Sequence, residues 1–178
     1  MPRSLYVLAM LKVQKAGGQI DEAFKSTDYK RDTTGIPESV LARYKDDQGR
    51  YMKLLKDDAY GGEPATSGHR EVMAGLEAEN QKLIPEIDRD GTGQAEFMDA
   101  NGQRWDVKSP PTIGFNQSQG LETIGNSIKD KITAYPDVKI ILDTTWMTDQ
   151  NLADLRNWIH TNIPQYESKI IEVNVNMN

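Results

Sequence analysis

Apolar and polar positions divide the chain into two parts with different periodicity. Three stretches of the first part have apolar side chains at helical spacing: 4–15, 19–26 and 37–58. Pro37 is placed to begin the third helix, because proline is tolerated in a first helical turn. A glycine-rich loop over 60–68 then marks the best candidate for a boundary. We therefore predict an N-terminal helical segment over 1–66 and a second domain over 67–178.

The second part alternates between helical and strand-like patterns. Its predicted elements are a helix over 69–81, a weak strand over 83–88, strands over 94–99 and 103–108, a helix over 118–134, a strand over 138–144, a helix after Thr148 and a strand over 167–176. The hydroxyl of Thr148 suits a helix N-cap. This order, α-β-β-β-α-β-α-β, predicts an α/β (α+β) fold.

The segment over 94–108 predicts a β-hairpin around Asp99–Gly102, whose residues suit a type I turn followed by a left-handed glycine. The pairs that follow from this turn are Asp99 with Gln103, Met98 with Arg104, Phe97 with Trp105, Glu96 with Asp106, Ala95 with Val107 and Gln94 with Lys108. One face is then apolar and the other polar. A slip of one residue would mix the faces, which supports this register.

The predicted register makes Glu96 and Asp106 cross-strand neighbours, with Lys108 two residues further on. Like charges placed opposite each other destabilise a hairpin by about 0.2–1 kcal/mol unless something neutralises them. A hard divalent cation such as Mg2+ or Mn2+ would do so, since such cations prefer oxygen ligands. Without a cation, one of the two carboxyls should have a raised pKa. The simpler alternative is an exposed polar face on which Lys108 balances Asp106.

Glu96 followed by Asp106-Val107-Lys108 resembles the PD-(D/E)xK signature of the restriction-endonuclease-like nucleases. That family has an α-β-β-β-α-β core, so the resemblance covers roughly residues 68–176. The chain is also similar to the C-terminal nuclease toxin domains of bacterial polymorphic toxins, including contact-dependent growth inhibition toxins. The segments over 103–110 and 140–145 carry that likeness.

The resemblance implies roles for individual residues of this chain. Asp106 would be a metal ligand, Lys108 the signature lysine, and the carbonyl of Val107 a further ligand. Glu96 would stand for the first acid, which is a departure because the family usually has Asp there. The family often adds a Glu from its first helix, and Glu71 is the candidate.

Several other residues are rivals or weaker candidates. Asp90 and Asp99 compete with Glu96 as first acid, and Glu77 stands behind Glu71. The helix over 118–134 lies where the family places side chains that face the substrate. Its weak candidates for phosphate contact are Gln119, Lys129 and Lys131, for which charge on an exposed helix surface is the preferred explanation.

The resemblance implies a Mg2+- or Mn2+-dependent nuclease that hydrolyses phosphodiester bonds, with DNA and RNA both open as substrates. A toxin domain of this kind would have a cognate immunity protein as partner. It would be delivered into the cytoplasm of a target bacterium.

A second motif overlaps the first, because residues 88–99 resemble an EF-hand calcium loop. Asp88, Asp90, Thr92, Glu96 and Asp99 fall at loop positions that carry oxygen ligands. Position twelve is Asp instead of the usual Glu, and no exiting helix is predicted. The alternative function is therefore a noncatalytic calcium-binding or protein-interaction module.

Composition narrows these possibilities further. The net charge of −6 argues against a protein that coats nucleic acid nonspecifically, but not against an enzyme that holds cations beside a phosphodiester. Cysteine is absent, which excludes disulfides, thiolate zinc sites and a cysteine nucleophile. No apolar stretch approaches the length of a membrane span.

Overall fold

A computed structural model of the chain describes residues 36–44, 48–57, 63–64, 68–110 and 117–177. The helices expected over 4–15 and 19–26 lie outside the described residues. In the part described, no helix combines the length and apolarity that crossing a membrane requires.

The described residues form the helices α1 (Glu38–Tyr44), α2 (Gln48–Leu55), α3 (Gly68–Asn80), α4 (Gln117–Ala134) and α5 (Asp149–Asn162). A 3-10 helix over Pro164–Lys169 follows α5. The strands are β1 (Lys56–Asp57), β2 (Glu63–Pro64), β3 (Ile87–Arg89), β4 (Phe97–Asp99), β5 (Arg104–Lys108), β6 (Val138–Asp143) and β7 (Ile170–Val173). From α3 onward the order of elements is the one that the sequence predicted.

A five-stranded mixed sheet forms the centre of the fold, and its strand order is β3-β4-β5-β6-β7. The first three strands form an antiparallel meander, while β5, β6 and β7 are parallel. The parallel pairs arise because α4 and then α5 return the chain to the same end of the sheet. Strands β1 and β2 form a separate two-stranded ladder. The chain is therefore a mixed α/β protein.

Apolar side chains cover both faces of the sheet. On one face, Phe97 and Ile141 pack with α3 residues such as Val72. On the other face, Ile140 and Leu142 pack with residues of α4 and α5. Successive side chains of a strand point to opposite faces, so β6 serves both cores. This explains the uninterrupted apolar run that the sequence shows in β6.

Helices α1 and α2 share the first of these cores. Val40, Leu54 and Leu55 belong to the same buried cluster as Phe97. Arg50 of α2 also forms an ion pair with Glu79, in which the closest nitrogen and oxygen are 2.6 Å apart. The boundary expected after residue 66 therefore does not separate two cores within the described residues.

The central hairpin has the predicted turn and the predicted first pairs. Phe97 faces Trp105 and Met98 faces Arg104. The ladder then ends, and the expected pairs of Glu96 with Asp106, Ala95 with Val107 and Gln94 with Lys108 are not formed. This part of the prediction was wrong because residues 90–95 form a tight polar turn, which delays the start of β4 to Phe97.

Two other strands begin later than the periodicity predicted. The weak strand expected over 83–88 is β3, which starts at Ile87. The final strand expected from residue 167 starts at Ile170, because Pro164 begins a 3-10 helix that occupies the preceding residues. Proline fits the first turn of such a helix and cannot donate to a strand ladder.

A substitution at Gly125 of α4 can test the contact between α4 and α5. A Cβ atom built at Gly125 would lie 2.3 Å from the Trp158 ring. Helix propensity alone would make Gly125→Ala stabilising by about 1 kcal/mol. We expect the opposite sign, a loss of about 1 kcal/mol or more in the free energy of unfolding, because overpacking outweighs propensity.

Urea denaturation measures this change. Thr133→Ala, at an exposed position of the same helix, is the control and should be neutral or slightly stabilising. A stabilised Gly125→Ala variant would contradict the close packing of α4 on α5.

Candidate functional site

Asp106 lies in the middle of β5, and its side chain is completely buried. One carboxylate oxygen is 2.7 Å from Lys108 Nζ, and the other is 2.7 Å from Lys131 Nζ. Both are close ion pairs, although neither has a well-aligned hydrogen-bond geometry. At Asp106 the polar face of the hairpin is therefore buried, with Lys131 of α4 against it, and is not the fully exposed face that the simpler alternative required.

The two lysines reach Asp106 from different elements. Lys108 follows Asp106 by two residues on β5, so both side chains lie on the same face of the strand. Lys131 comes from α4 and also donates a hydrogen bond of 3.1 Å to the Gln94 carbonyl. Burial acts to lower the pKa of Lys131, but its close contact with Asp106 and the negative charge of that residue, followed by the charge of Glu96, raise it.

Lys131 is the residue whose importance the sequence underestimated. It was expected either as a candidate phosphate contact or as surface charge, and the structure shows it mostly buried against Asp106. The signal in the sequence was its position three residues after Ile128 and one before Ile132, beside the apolar face of the helix. Lys129 is exposed, and the side chain of Gln119 lies outside the described part.

Glu96 lies close to Asp106 even though their predicted ladder pair is not formed. Its Oε2 accepts a 2.9 Å hydrogen bond from the Val107 amide. Burial, followed by the negative charges of Asp106 and Glu71, raises the pKa of Glu96 to about 8, against the opposing effects of the Val107 N–H and Lys108. One carboxyl of the pair therefore titrates high, as the sequence indicated.

The carbonyl of Val107 faces the same side of β5 as Glu96. The amide and carbonyl of one residue point to the same edge of a strand, and the Val107 amide donates to Glu96. The β4 ladder has already ended at this level, so no strand residue pairs with Val107 on that side. This position is compatible with the ligand role that the resemblance implies.

Glu71 is buried in the first turn of α3, and its charge contributes to the raised pKa of Glu96. The structure thus brings both Glu71 and Asp106 within electrostatic reach of Glu96. Glu77 has other partners, since it accepts hydrogen bonds from the Tyr44 hydroxyl and from Gln81. Burial, followed by the hydrogen bond to Glu77 and the charge of that residue, raises the pKa of Tyr44.

Asp90 and Asp99, the rivals for the first acid, both stabilise turns. Asp90 accepts hydrogen bonds from Thr92 and from the Ala95 amide. Asp99 accepts from the amides of Asn101 and Gln103, and from the Trp105 indole at 2.9 Å. Their oxygens are therefore committed to the local backbone and to the core.

Asp90 and Asp99 also belong to the segment over 88–99 that resembles an EF-hand loop. It connects two antiparallel strands, β3 and β4, instead of two helices. Asp88 is about half exposed and forms an ion pair with Lys53. The acidic side chains of this loop thus contact different parts of the protein.

An open cleft of about 630 Å³ lies next to the two lysines that contact Asp106. Lys108 and Lys131 line it, together with α4 side chains that include Thr123, Asn126, Ser127 and Asp130. Two ammonium groups and several hydrogen-bonding groups therefore face one space that opens to solvent. Such a surface can accept a phosphate-bearing ligand.

The oxygen ligands available for a cation are the carboxylates of Glu96 and Asp106 and the carbonyl of Val107, with Glu71 nearby. These suit a hard divalent cation in chemistry. As arranged, no three Asp, Glu or His side chains among the described residues converge closely enough to hold a metal ion. A cation at Asp106 would have to displace an ammonium group, because Lys108 and Lys131 occupy both carboxylate oxygens.

Asp143 is the last residue of the neighbouring strand β6. It is buried and accepts hydrogen bonds from the Ser109 hydroxyl and the Thr145 amide. Burial raises its pKa against the effects of these hydrogen bonds and of the Arg70 charge. Its contacts are those of a strand-end cap.

Comparisons with protein-family models, with curated proteins and with solved structures gave no match for this chain.

The raised pKa of Glu96 predicts how stability changes with pH. Glu96 has a folded-state pKa of about 8 against an ordinary value of 4.5, so the folded state binds more protons between these values. The contribution of Glu96 to stability is then fully present at low pH and falls as pH rises from 5 to 8, by up to about 1.4 kcal/mol per pH unit.

Chemical denaturation in the presence of a chelator, at several pH values, measures this slope. Glu96→Gln keeps an acceptor for the Val107 amide and should flatten the pH dependence. Equal slopes in the two proteins would contradict the raised pKa.

Asp99 should behave as a structural residue. Asp99→Ala removes three hydrogen-bond acceptor contacts and leaves the buried Trp105 indole without its partner, so we expect a loss of about 2–4 kcal/mol in the free energy of unfolding. Asp88→Ala, at an exposed ion pair, should cost less than about 1 kcal/mol. Similar losses in the two variants would contradict the structural role of Asp99.

Proposed function

We propose that this chain is a metal-dependent nuclease that hydrolyses phosphodiester bonds of DNA or RNA. The observation that carries the proposal is the convergence of Glu96, Asp106 and Lys108 beside an open cleft, with the pKa of Glu96 strongly raised. Perturbed ionisable groups of this kind concentrate at functional sites. The cofactor proposed is Mg2+ or Mn2+.

The fold supports the proposal. In the restriction-endonuclease-like family that the sequence resembles, a helix is followed by three antiparallel strands, a crossover helix and a parallel strand. Elements α3 to β6 have this order and these strand directions. Asp106 and Lys108 lie on β5, where an antiparallel neighbour and a parallel neighbour meet. We therefore propose a restriction-endonuclease-like topology for this part of the chain.

The proposed chemistry assigns a role to each residue. Glu96, Asp106 and the Val107 carbonyl hold the cation, and Glu71 adds negative charge to its surroundings. A bound divalent cation supplies Lewis acidity and lowers the pKa of a water molecule. Lys108 orients the attacking water or stabilises the charge that develops on the phosphate.

The biological setting proposed is that of an antibacterial toxin domain with an immunity protein as partner. Its support is the sequence resemblance over 103–110 and 140–145.

A nuclease assay on plasmid DNA, tRNA and rRNA, with and without Mg2+ or Mn2+, tests the proposal. We expect cleavage that requires the metal and that falls by about a hundredfold or more in Asp106→Asn and in Lys108→Met, because the first removes a ligand of the proposed cation and the second a group that acts at the water or the phosphate. Asp154→Asn, at an exposed position of α5, is the matched control and should retain activity.

Two other outcomes would each replace the proposal. Tight calcium binding without cleavage of any substrate would favour the noncatalytic module built on the loop over 88–99. A folded protein that neither binds a cation nor cleaves nucleic acid would be an inactive scaffold with the same fold.

A further inference from the structure

We infer that Lys131 is an internal counter-ion of the proposed cation site: it neutralises Asp106 when no cation is bound, and it must leave Asp106 when one binds. Lys131 thereby sets the affinity of the site for divalent cations. This inference rests on the proposed function, because it concerns the same cation. Lys131 is a positioning residue in this account and takes no part in the signature shared with the nuclease family.

The contacts of Asp106 show that its buried carboxylate is compensated by two lysines. Its carboxylate has no exposure to solvent, and its two oxygens lie 2.7 Å from two different ammonium nitrogens. A buried carboxylate is costly unless it is paired. In the absence of a cation, the ion pair with Lys131 therefore compensates for the hydration that the buried carboxylate has lost.

The second step is competition for the same oxygen atoms. Mg2+ binds oxygen ligands at about 2.0–2.1 Å and demands a nearly regular geometry. An ammonium nitrogen 2.7 Å from a carboxylate oxygen stands in the space that a cation bound to the same oxygen would need. It also repels the cation through its own charge.

The surroundings of Lys131 make it the lysine that can withdraw. Lys108 lies on the same strand as Asp106, whereas Lys131 reaches across from α4 and lines the cleft. Its Nζ already donates to the Gln94 carbonyl and lies 5.5 Å from the centre of the Tyr135 ring. Both groups can continue to interact with the ammonium group after it leaves Asp106.

If Lys131 competes with the cation, its removal should change the affinity for divalent cations in the direction opposite to that expected from a purely structural role. Replacing Lys131 with Met removes the competing charge, so divalent cations should bind more tightly. The cation-free protein should at the same time become less stable, because Asp106 loses a partner. If Lys131 only supported the shape of the site, its loss would weaken cation binding.

The experiment is a Mn2+ titration followed by electron paramagnetic resonance or calorimetry. We expect the dissociation constant to fall about tenfold or more in Lys131→Met. Lys129→Met is the matched control, since Lys129 is exposed two residues earlier on the same helix, and its dissociation constant should equal that of the unmodified chain. Asp106→Asn should abolish binding.

A second measurement uses the unmodified protein and so does not depend on the folding of a variant. Lysine acetylation rates are read by mass spectrometry with and without Mn2+. Acetylation of Lys131 should accelerate at least severalfold when Mn2+ is present, because its side chain, which is 22% exposed, leaves Asp106 for the cleft. Lys129 serves as the internal reference and should react at the same rate in both conditions.

The outcomes separate the two proposals. If neither the unmodified chain nor Lys131→Met binds Mn2+, the cation site itself is refuted and the inference falls with it. If the unmodified chain binds Mn2+ but Lys131→Met binds it equally or more weakly, only the inference is overturned. If the protein binds Mn2+ but the acetylation rate of Lys131 does not change, the inference about Lys131 is likewise overturned and the cation site is not.

Discussion

The burial of the Asp106 carboxylate is the constraint on which the site depends. An ionised carboxylate without solvent needs compensating charge, and here Lys108 and Lys131 provide it at 2.7 Å. One of these lysines belongs to β5 and the other to α4, so the ion pairs also join the sheet to the helix that covers it. The polar interior at this point is thus part of the packing between α4 and the sheet.

Polar turns determine where the other acid lies. Asp90 holds the turn before β4 through Thr92 and the Ala95 amide, and this turn ends the β4–β5 ladder early. The shortened ladder leaves the Val107 amide without a strand partner on that side, and Glu96 accepts its hydrogen bond instead. Glu96 approaches Asp106 through a side-chain contact with the backbone, not through a cross-strand pair.

Opposing electrostatic effects act on this group of charges. The ion pairs of Asp106 balance its own charge, while burial and the negative charges of Asp106 and Glu71 favour a proton on Glu96. Proton uptake by Glu96 is one response, which its pKa of about 8 reflects. Cation binding would be the other, and the balance between them would then depend on Lys108 and Lys131.

The sequence by itself determined the order of elements, the turn at Asp99–Gly102, the cap at Thr148 and the shared face of Asp106 and Lys108. These follow from local rules of periodicity, turn geometry and capping, which act over a few residues. Only the tertiary structure decided that α4 buries Asp106, that Lys131 is its partner, and that α1 and α2 share the core of the sheet. Such contacts join residues far apart in the chain, and no local pattern specifies which helix covers which strand.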